Sequence, residues 1–305
     1  MGRTKLIRAA YVAGVAALLL TSPIGAAAQD GPDRVEQLLP SSEWNIDFGE
    51  DYCRLARTFS DGEDQYLLFI EQAAPATGFG MTLAGPKIRQ FRQVITRLKL
   101  EEDEGYPQVS RMTGEVVGFG PAAIFSRIEI NDDRDAAPDG TLRTLPHIDL
   151  DEASKIDRIQ YGHGGFALSF ETGDMGPPLQ ALNVCAADFV RSWGLDVEQH
   201  KQFTRMARLT NEQEIAREIQ KYYTRSALNR GEQAIIRMLV IVETDGSVSQ
   251  CKLFESTETD RLQSKACEEM EGAEFEPALD ASGQPMRSFY TTNIIYRITE
   301  ANAHG

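Results

Sequence analysis

The sequence predicts an α+β protein built from two domains. Three observations lead to this prediction: short strand-like segments in the first two thirds of the chain, an amphipathic helix over residues 177–196, and a helix–hairpin–helix–strand order towards the C-terminus. A chain of 305 residues is also longer than most single domains. We therefore expect an N-terminal domain of mixed strands followed by a helix over residues 29–205, and a smaller domain over residues 206–305.

The first 28 residues have the pattern of an export signal. A basic leader, a twelve-residue apolar run and three alanines follow one another: Arg3, Lys5 and Arg8, then residues 9–20, then residues 26–28. We expect a signal peptide over residues 1–28, cleavage near Gln29 and a mature protein in the periplasm. The alternative is an anchor retained in the inner membrane with the protein facing the periplasm, because residues 9–28 are uncharged. Contact with a membrane is expected only if the leader is retained.

The charge of the chain excludes some classes of partner. The formal net charge is -15, and it becomes -18 when the three basic residues of the leader are removed. Such an acidic protein is unsuited to binding nucleic acid or anionic lipid by charge. We therefore expect a protein partner and no nucleic acid.

The chain has four cysteines, Cys53, Cys185, Cys251 and Cys267. In an oxidising compartment they are candidates for disulfides, and four cysteines allow three pairings. The local pairing of Cys251 with Cys267 is favoured, which leaves Cys53 to pair with Cys185. No cysteine lies in a CxxC motif and no histidine stands at ligand spacing to a cysteine, so neither a redox-active pair nor a zinc site is expected.

The predicted strands of the N-terminal domain are rich in β-branched or aromatic residues and are bounded by Gly, Pro or Asp. They cover residues 66–72, 79–85, 115–120, 123–130 and 166–170. In the helix over residues 177–196, Pro178 is the expected first residue and Gly194 the stop. Because this helix carries Cys185, the long disulfide would attach it to the segment around Cys53.

The C-terminal domain has sharper local signals. Thr210 and Gln213 have the spacing of a capping box before an amphipathic helix, and Asp245-Gly246 lies between two strand-like runs. A helix over residues 257–270, capped by Thr257 or Thr259, and a last strand over residues 286–298 should follow. Cys251 would then lie on the hairpin and Cys267 near the end of the helix, so their disulfide would link helix to sheet.

No catalytic constellation is present in the sequence. It has no GxSxG elbow, no HExxH pair and no phosphate-binding loop of the Walker type. The glycine-rich residues 161–166 precede a predicted strand instead of a helix, so we expect a turn there. Residues 131–140 lack the glycine of a calcium loop, and we expect a solvated acidic loop. The protein is therefore predicted to be non-enzymatic, without cofactor or metal.

From Tyr223 to Ile298 the sequence resembles the C-terminal domain of the TonB family of energy transducers. The resemblance is carried by the order and spacing of several landmarks: Tyr223 with Ala227, Gly231-Glu232, Asp245-Gly246, Ser256-Thr257, Leu262, Ala266, "FEPALDASGQP" at residues 275–285 and the closing strand. It implies a three-stranded antiparallel sheet packed on helix, with one edge strand left open. In the family that edge receives an extended peptide from an outer-membrane receptor.

The resemblance implies an outer-membrane TonB-dependent receptor as a partner in transport across the cell envelope. The last strand would then be the partner-binding edge, with Tyr290, Asn293 and Tyr296 meeting the guest strand. A homodimer through the same edge is the alternative use of this strand.

Several departures from the family pattern bear on energy transduction. Thr224 replaces the usual Pro, Gln233 a Gly, and Glu258 the Gly after the Ser-Thr pair. The apolar leader looks cleavable and is followed by a predicted domain instead of a proline-rich spacer. The alternative function is therefore an envelope scaffold or assembly factor without an energy-transducing role.

Overall fold

The computed structural model describes residues 32–100, 108–130, 144–255 and 264–297. Gly31–Gly305 form one compact unit. The predictions for the leader, for residues 131–140 and for Ser256, Thr257, Glu258, Thr259 and Leu262 lie outside the described residues. The described residues contain strands and helices in largely separate segments, which confirms the α+β class.

The N-terminal region is dominated by one large sheet. Its strands are β1 (Arg34–Pro40), β2 (Asn45–Phe48), β3 (Cys53–Ser60), β4 (Gln65–Gln72), β5 (Gly78–Ala84), β6 (Thr96–Lys99), β7 (Gln108–Val109), β8 (Met112–Val116), β9 (Gly120–Glu129), β10 (Ile159–His163) and β11 (Phe166–Phe170). The order is β7-β6-β10-β11-β1-β3-β4-β5-β9-β8, with β2 beside β3. Among the described pairs, only β1 and β11 run parallel.

This sheet curls around its own core. Phe125 of β9 and Tyr161 of β10 lie on opposite sides of the strand order, yet their ring centroids are 5.6 Å apart. The enclosed side chains are almost all apolar, and burying each large one stabilises the fold by roughly 1.5–3 kcal/mol. A 3-10 helix (Pro86–Phe91) and α1 (Leu150–Ala153) lie between strands.

The long helix α2 (Gly176–Ser192) packs against β3 and β4. Its apolar stripe is buried as predicted, and Gly194 ends it with φ +70°. The helix begins two residues before Pro178, because the Asp174 side chain accepts a hydrogen bond from the Gly176 amide at 2.8 Å. Cys185 on this helix is bonded to Cys53 at the start of β3.

The C-terminal region begins with short elements and ends with a second sheet. In order they are α3 (Val197–His200), β12 (Phe203–Arg205), β13 (Arg208–Leu209), α4 (Glu212–Gln220), α5 (Arg225–Asn229), β14 (Ala234–Val242), β15 (Val248–Glu255), α6 (Ala266–Glu269), β16 (Phe275–Glu276), β17 (Ala278–Asp280), β18 (Pro285–Met286) and β19 (Ser288–Tyr296). β15, β14 and β19 form a three-stranded antiparallel sheet in that order. β12 pairs with β17, so residues 203–205 already bond to the C-terminal region, and the boundary at residue 206 stays a prediction.

Three local predictions are wrong, the first in its extent: of the helix predicted over residues 257–270, Ser264 and Lys265 are not helical and α6 covers only Ala266–Glu269. The capping box at Thr210 does not form, because the Thr210 amide and hydroxyl both donate to the Glu274 carbonyl and the helix starts at Glu212. The predicted strand at 115–120 stops at Val116 and turns into β9, with Gly118 and Gly120 at positive φ. At Thr210 a tertiary contact overrides the local pattern, and at Gly118 a turn does.

The three-stranded sheet is covered on both faces. We call the face towards α4, α5 and α6 the inner face; Ile236, Met238, Val240 and Val242 of β14 lie there, as their alternation predicts. On the opposite, outer face, Leu239, Ile241 and Phe289 join Val190 and Leu195 in a separate apolar cluster. This second cluster connects the sheet to the N-terminal region.

Candidate protein-interaction site

The edge of β19 is the candidate interaction site. β14 is the central strand, and it pairs with β19 in unbroken register from Ala234 opposite Tyr296 to Val242 opposite Ser288. Within the described residues, β19 has no strand on its other side. An edge strand presents a row of unpaired main-chain N–H and C=O groups, which is what strand addition requires.

Tyr290 and Tyr296 lie on the inner face. Tyr296 is fully buried, and its hydroxyl donates to the Ile219 carbonyl at 3.3 Å. Tyr290 is partly buried and meets the Phe275 ring edge-on, with centroids 5.3 Å apart. Burial raises the pKa of both phenols. The Tyr296 side chain is therefore part of the core and is not available to a guest strand.

Asn293 lies on the outer face and is held by the N-terminal sheet. Its side-chain amide donates to the Ser126 carbonyl at 3.1 Å. Ser126 and Arg127 together oppose Gly80, because the pairing of β5 with β9 shifts register there. Such a bulge interrupts the ladder and re-aims main-chain groups. The bulge is therefore what places the Ser126 carbonyl against β19.

An ion pair joins the two regions at the centre of the outer face. Arg237 Nη2 donates to Glu71 Oε1 at 2.8 Å, and Arg54 donates to Glu71 Oε2 at 2.9 and 3.1 Å. The Glu71 and Arg237 side chains are only 7% and 13% exposed. A Cβ atom on Gly80 would lie 2.6 Å from Arg237 Nη2, so a side chain there would displace the guanidinium from its present position. An isolated arginine in an apolar strand is the sequence signal for such a pair, but it does not identify a partner 166 residues away.

His200 fixes the start of β19. It is almost fully buried, its ring stacks on Phe289, and Nδ1 lies 2.6 Å from the Asp196 carbonyl. Nε2 lies 3.0 Å from the Ser288 hydroxyl. Burial lowers the pKa of the imidazole, so the neutral form prevails, with Nδ1 donating and Nε2 accepting. Both His200 and Ser288 are buried, so this pair holds the start of β19 in place within the core.

A groove of about 300 Å³ lies between the outer face and the N-terminal sheet. Residues 71–80 and the bulge at Ser126 and Arg127 form one side. The other side is formed by outer-face positions of all three strands, among them Phe254, Leu239 and the exposed Thr291. The groove therefore runs under the sheet and reaches the strand with the open edge.

The two disulfides and the predicted turn agree with the sequence analysis. Cys53 is bonded to Cys185 and Cys251 to Cys267, and the second disulfide links β15 to α6. The predicted turn within residues 161–166 is Gly164-Gly165, which joins β10 to β11, with Gly164 at φ +54°. Across the described ranges no group of three or more His, Cys, Asp or Glu is placed to hold a metal ion. In the same ranges, no helix is long and apolar enough to cross a membrane.

The comparison with protein families decides what this C-terminal region resembles. Residues 219–298 match the family of the Gram-negative bacterial TonB protein C-terminal. The TonB C-terminal-like domain, as we call these residues, contains the three-stranded sheet and the β19 edge, and the resemblance inferred from the sequence is confirmed. This family is a protein-interaction domain of the cell envelope, not an enzyme. No curated protein and no solved structure matches the chain.

Proposed function

We propose that this chain is a periplasmic, non-enzymatic interaction protein whose TonB C-terminal-like domain binds an extended segment of an outer-membrane TonB-dependent receptor. The segment adds as a fourth strand along the outer edge of β19. One observation carries the proposal: the matched domain ends in an edge strand that, within the described residues, pairs on one side only.

The positions of the side chains favour recognition through the main chain. Tyr296 is buried, Tyr290 packs on Phe275, and Asn293 bonds to Ser126, so these side chains already have contacts inside the protein. The N–H and C=O groups on the outer side of β19 remain for a guest. Main-chain hydrogen bonds of this kind give affinity that depends weakly on the guest sequence.

Two features support an oxidising, exported setting. All four cysteines are paired in disulfides, and such pairs persist mainly outside the cytosol. The leader of residues 1–28 has the pattern of a secretory signal. Together they support the proposed periplasmic location.

A scaffold role is the second candidate. It is favoured by the outer face, where Arg237, Asn293 and Phe289 hold the TonB C-terminal-like domain against the N-terminal region. An energy transducer needs its terminal domain on a long spacer, whereas this domain is packed on its own chain. In a scaffold, the β19 edge would pair with a second copy of this protein.

Amide hydrogen exchange on β19 tests strand addition. The probe is a set of synthetic peptides taken from the N-terminal segments of outer-membrane receptors, added to residues 29–305. Successive strand residues direct their N–H groups to opposite sides, so binding should protect every second β19 amide. The proposal is contradicted if the peptide newly protects both alternating sets of β19 amides, or if it protects neither set at millimolar concentration.

N-methylated peptides are the matched control. Methylation of alternate peptide amides blocks pairing only when the methyl groups face β19, so one of the two alternating series should lose binding and the other keep it. Equal binding of both series would argue against strand addition. Sedimentation of the protein without peptide tests the scaffold role. A dimer in sedimentation, together with protection of the same β19 amides in hydrogen exchange, favours the scaffold.

A further inference from the structure

We infer that the N-terminal sheet forms one side of the peptide site, and that the groove beside β19 receives an uncharged side chain of the added segment. The inference rests on the proposed strand addition. It gives residues 71–80 and the β9 bulge a part in choosing the partner.

The geometry brings a guest side chain to the groove. Side chains alternate between the two faces of a strand, and a guest strand would lie about 4.8 Å from β19. Thr291 and Asn293 are on the outer face of β19 and line the groove. Because Thr291 is exposed, the groove is open to solvent at that strand. An outer-face side chain of the guest would therefore lie at this opening.

The charges in the groove are already paired within the protein. Glu71 and Arg237 bond to each other at 2.8 Å, and Arg127 pairs with Glu129. A charged side chain that entered would lose its hydration without finding an unpaired opposite charge among these groups. The groove therefore selects against both carboxylates and ammonium groups.

Gln72 adds a preference for a hydrogen-bond donor. Its side-chain amide donates to the carbonyls of Ala76 at 3.0 Å and Gly78 at 2.9 Å, which orients the group. Its Oε1 is buried and, within the described part of the chain, accepts no hydrogen bond. A buried acceptor without a donor is unfavourable. Gln72 lines the groove, so a guest hydroxyl or amide that contacts this oxygen would satisfy it, whereas a carboxylate would add a second acceptor.

The size of the groove limits what it holds. A volume of about 300 Å³ is at the lower end of the ~300–1,000 Å³ of small-molecule pockets. A volume of this size accommodates one or two side chains of a guest strand. The occupant is therefore a side chain such as glutamine, serine or threonine on the guest strand.

A guest-residue series tests the inference on the chain of residues 29–305. The probe is a short synthetic peptide of alternating threonine and valine, in which one groove-side position is glutamine, leucine, aspartate or lysine. We expect the glutamine peptide to bind most tightly and the aspartate and lysine peptides roughly tenfold more weakly. Affinities are measured by NMR titration, with β19 amide protection recorded for each peptide.

Substitutions in the groove distinguish its contribution to peptide binding from that of the β19 edge. Ala76→Trp fills the groove from the N-terminal side, and Ala73→Trp does the same if the first variant does not fold. Either should abolish the preference for glutamine while the β19 amides remain protected. Ala187→Trp, at a half-exposed position of α2 outside the groove, is the matched control and should leave the ranking unchanged.

Two outcomes overturn the inference and can be told apart. Equal affinity for all four peptides, or an unchanged ranking in the groove variants, refutes the role of the N-terminal sheet and leaves strand addition intact. Absence of β19 protection with every peptide refutes strand addition and the inference together.

Discussion

The two faces of the three-stranded sheet are covered in different ways. The inner face packs against helices of the same domain through apolar side chains such as Met238 and Val240. The outer face packs against the end of α2 through an apolar cluster, and it contacts the N-terminal sheet through the pair of Arg237 with Glu71. The TonB C-terminal-like domain is therefore packed against the N-terminal region, while within the described residues β19 pairs with a strand on one side only.

The largest effect on stability is expected from the buried ion pair on the outer face. Glu71→Ala leaves Arg237 buried without its carboxylate, and removing one partner of a buried pair costs about 3–5 kcal/mol of the free energy of unfolding. Urea denaturation measures the loss. Glu129→Ala removes the partner of Arg127 at the exposed surface and should cost less than about 1 kcal/mol. Similar losses in both variants would contradict the importance of the buried pair.

The next largest effect on stability is expected from a glycine substitution on the outer face, with one on the inner side for comparison. Gly80→Ala places a methyl group 2.6 Å from Arg237 Nη2 and should cost roughly 1–3 kcal/mol in stability. Gly272→Ala, beside Ile215 on the inner side, meets nothing closer than 3.9 Å and should change stability by less than about 0.5 kcal/mol. Thermal unfolding of both variants is the measurement. An unaffected Gly80 variant would show that the arginine can move aside.

A smaller effect is expected from one hydroxyl on the inner face. Tyr296→Phe removes the hydrogen bond to the Ile219 carbonyl and should lower the free energy of unfolding by about 0.5–1.5 kcal/mol. Peptide binding should not change, because this side chain lies in the core. A variant that folds normally but loses binding would mean that the hydroxyl reaches the guest.

The smallest expected effect depends on pH. His200 has a lowered pKa in the folded protein, whereas the unfolded chain takes up a proton near pH 6.5. The unfolded state therefore gains protons first, and the stabilisation by neutral His200 is complete above about pH 6.5 and declines as the pH falls below it. Urea denaturation from pH 7.5 to 5 should show this decline, and His200→Gln should reduce its slope. An equal slope in the variant would assign the decline to other groups.

Much of the local structure could be predicted from particular residues. The hairpin at Asp245-Gly246 forms because glycine accepts the positive φ of 86° that the turn requires. The apolar stripe of α2 follows helical spacing and is buried. The capping box predicted at Thr210 does not form, because the Thr210 hydroxyl donates to the carbonyl of Glu274, a residue distant in sequence, instead of capping the helix.

The sequence analysis predicted the strand that carries the candidate site, but it did not predict which of its side chains are buried. β19 lies where the sequence placed the last strand, ending at Tyr296 within the described residues. Tyrosine has an apolar ring and a polar tip, so the pattern alone does not tell an exposed binding residue from a buried one such as Tyr296. The bulge in β9 has no signature in the sequence of that strand, and the contact of Asn293 depends on it.

The sequence by itself determined the local elements of this protein: the turn glycines, the helical stripes, the pairing of nearby cysteines and the landmarks of a TonB C-terminal domain. These depend on backbone preferences and on short-range periodicity, which act over a few residues. Only the tertiary structure decided which face of the small sheet meets the N-terminal region and which buried charges pair. Those choices depend on contacts between residues far apart in the chain, such as Glu71 with Arg237, and no local pattern records them.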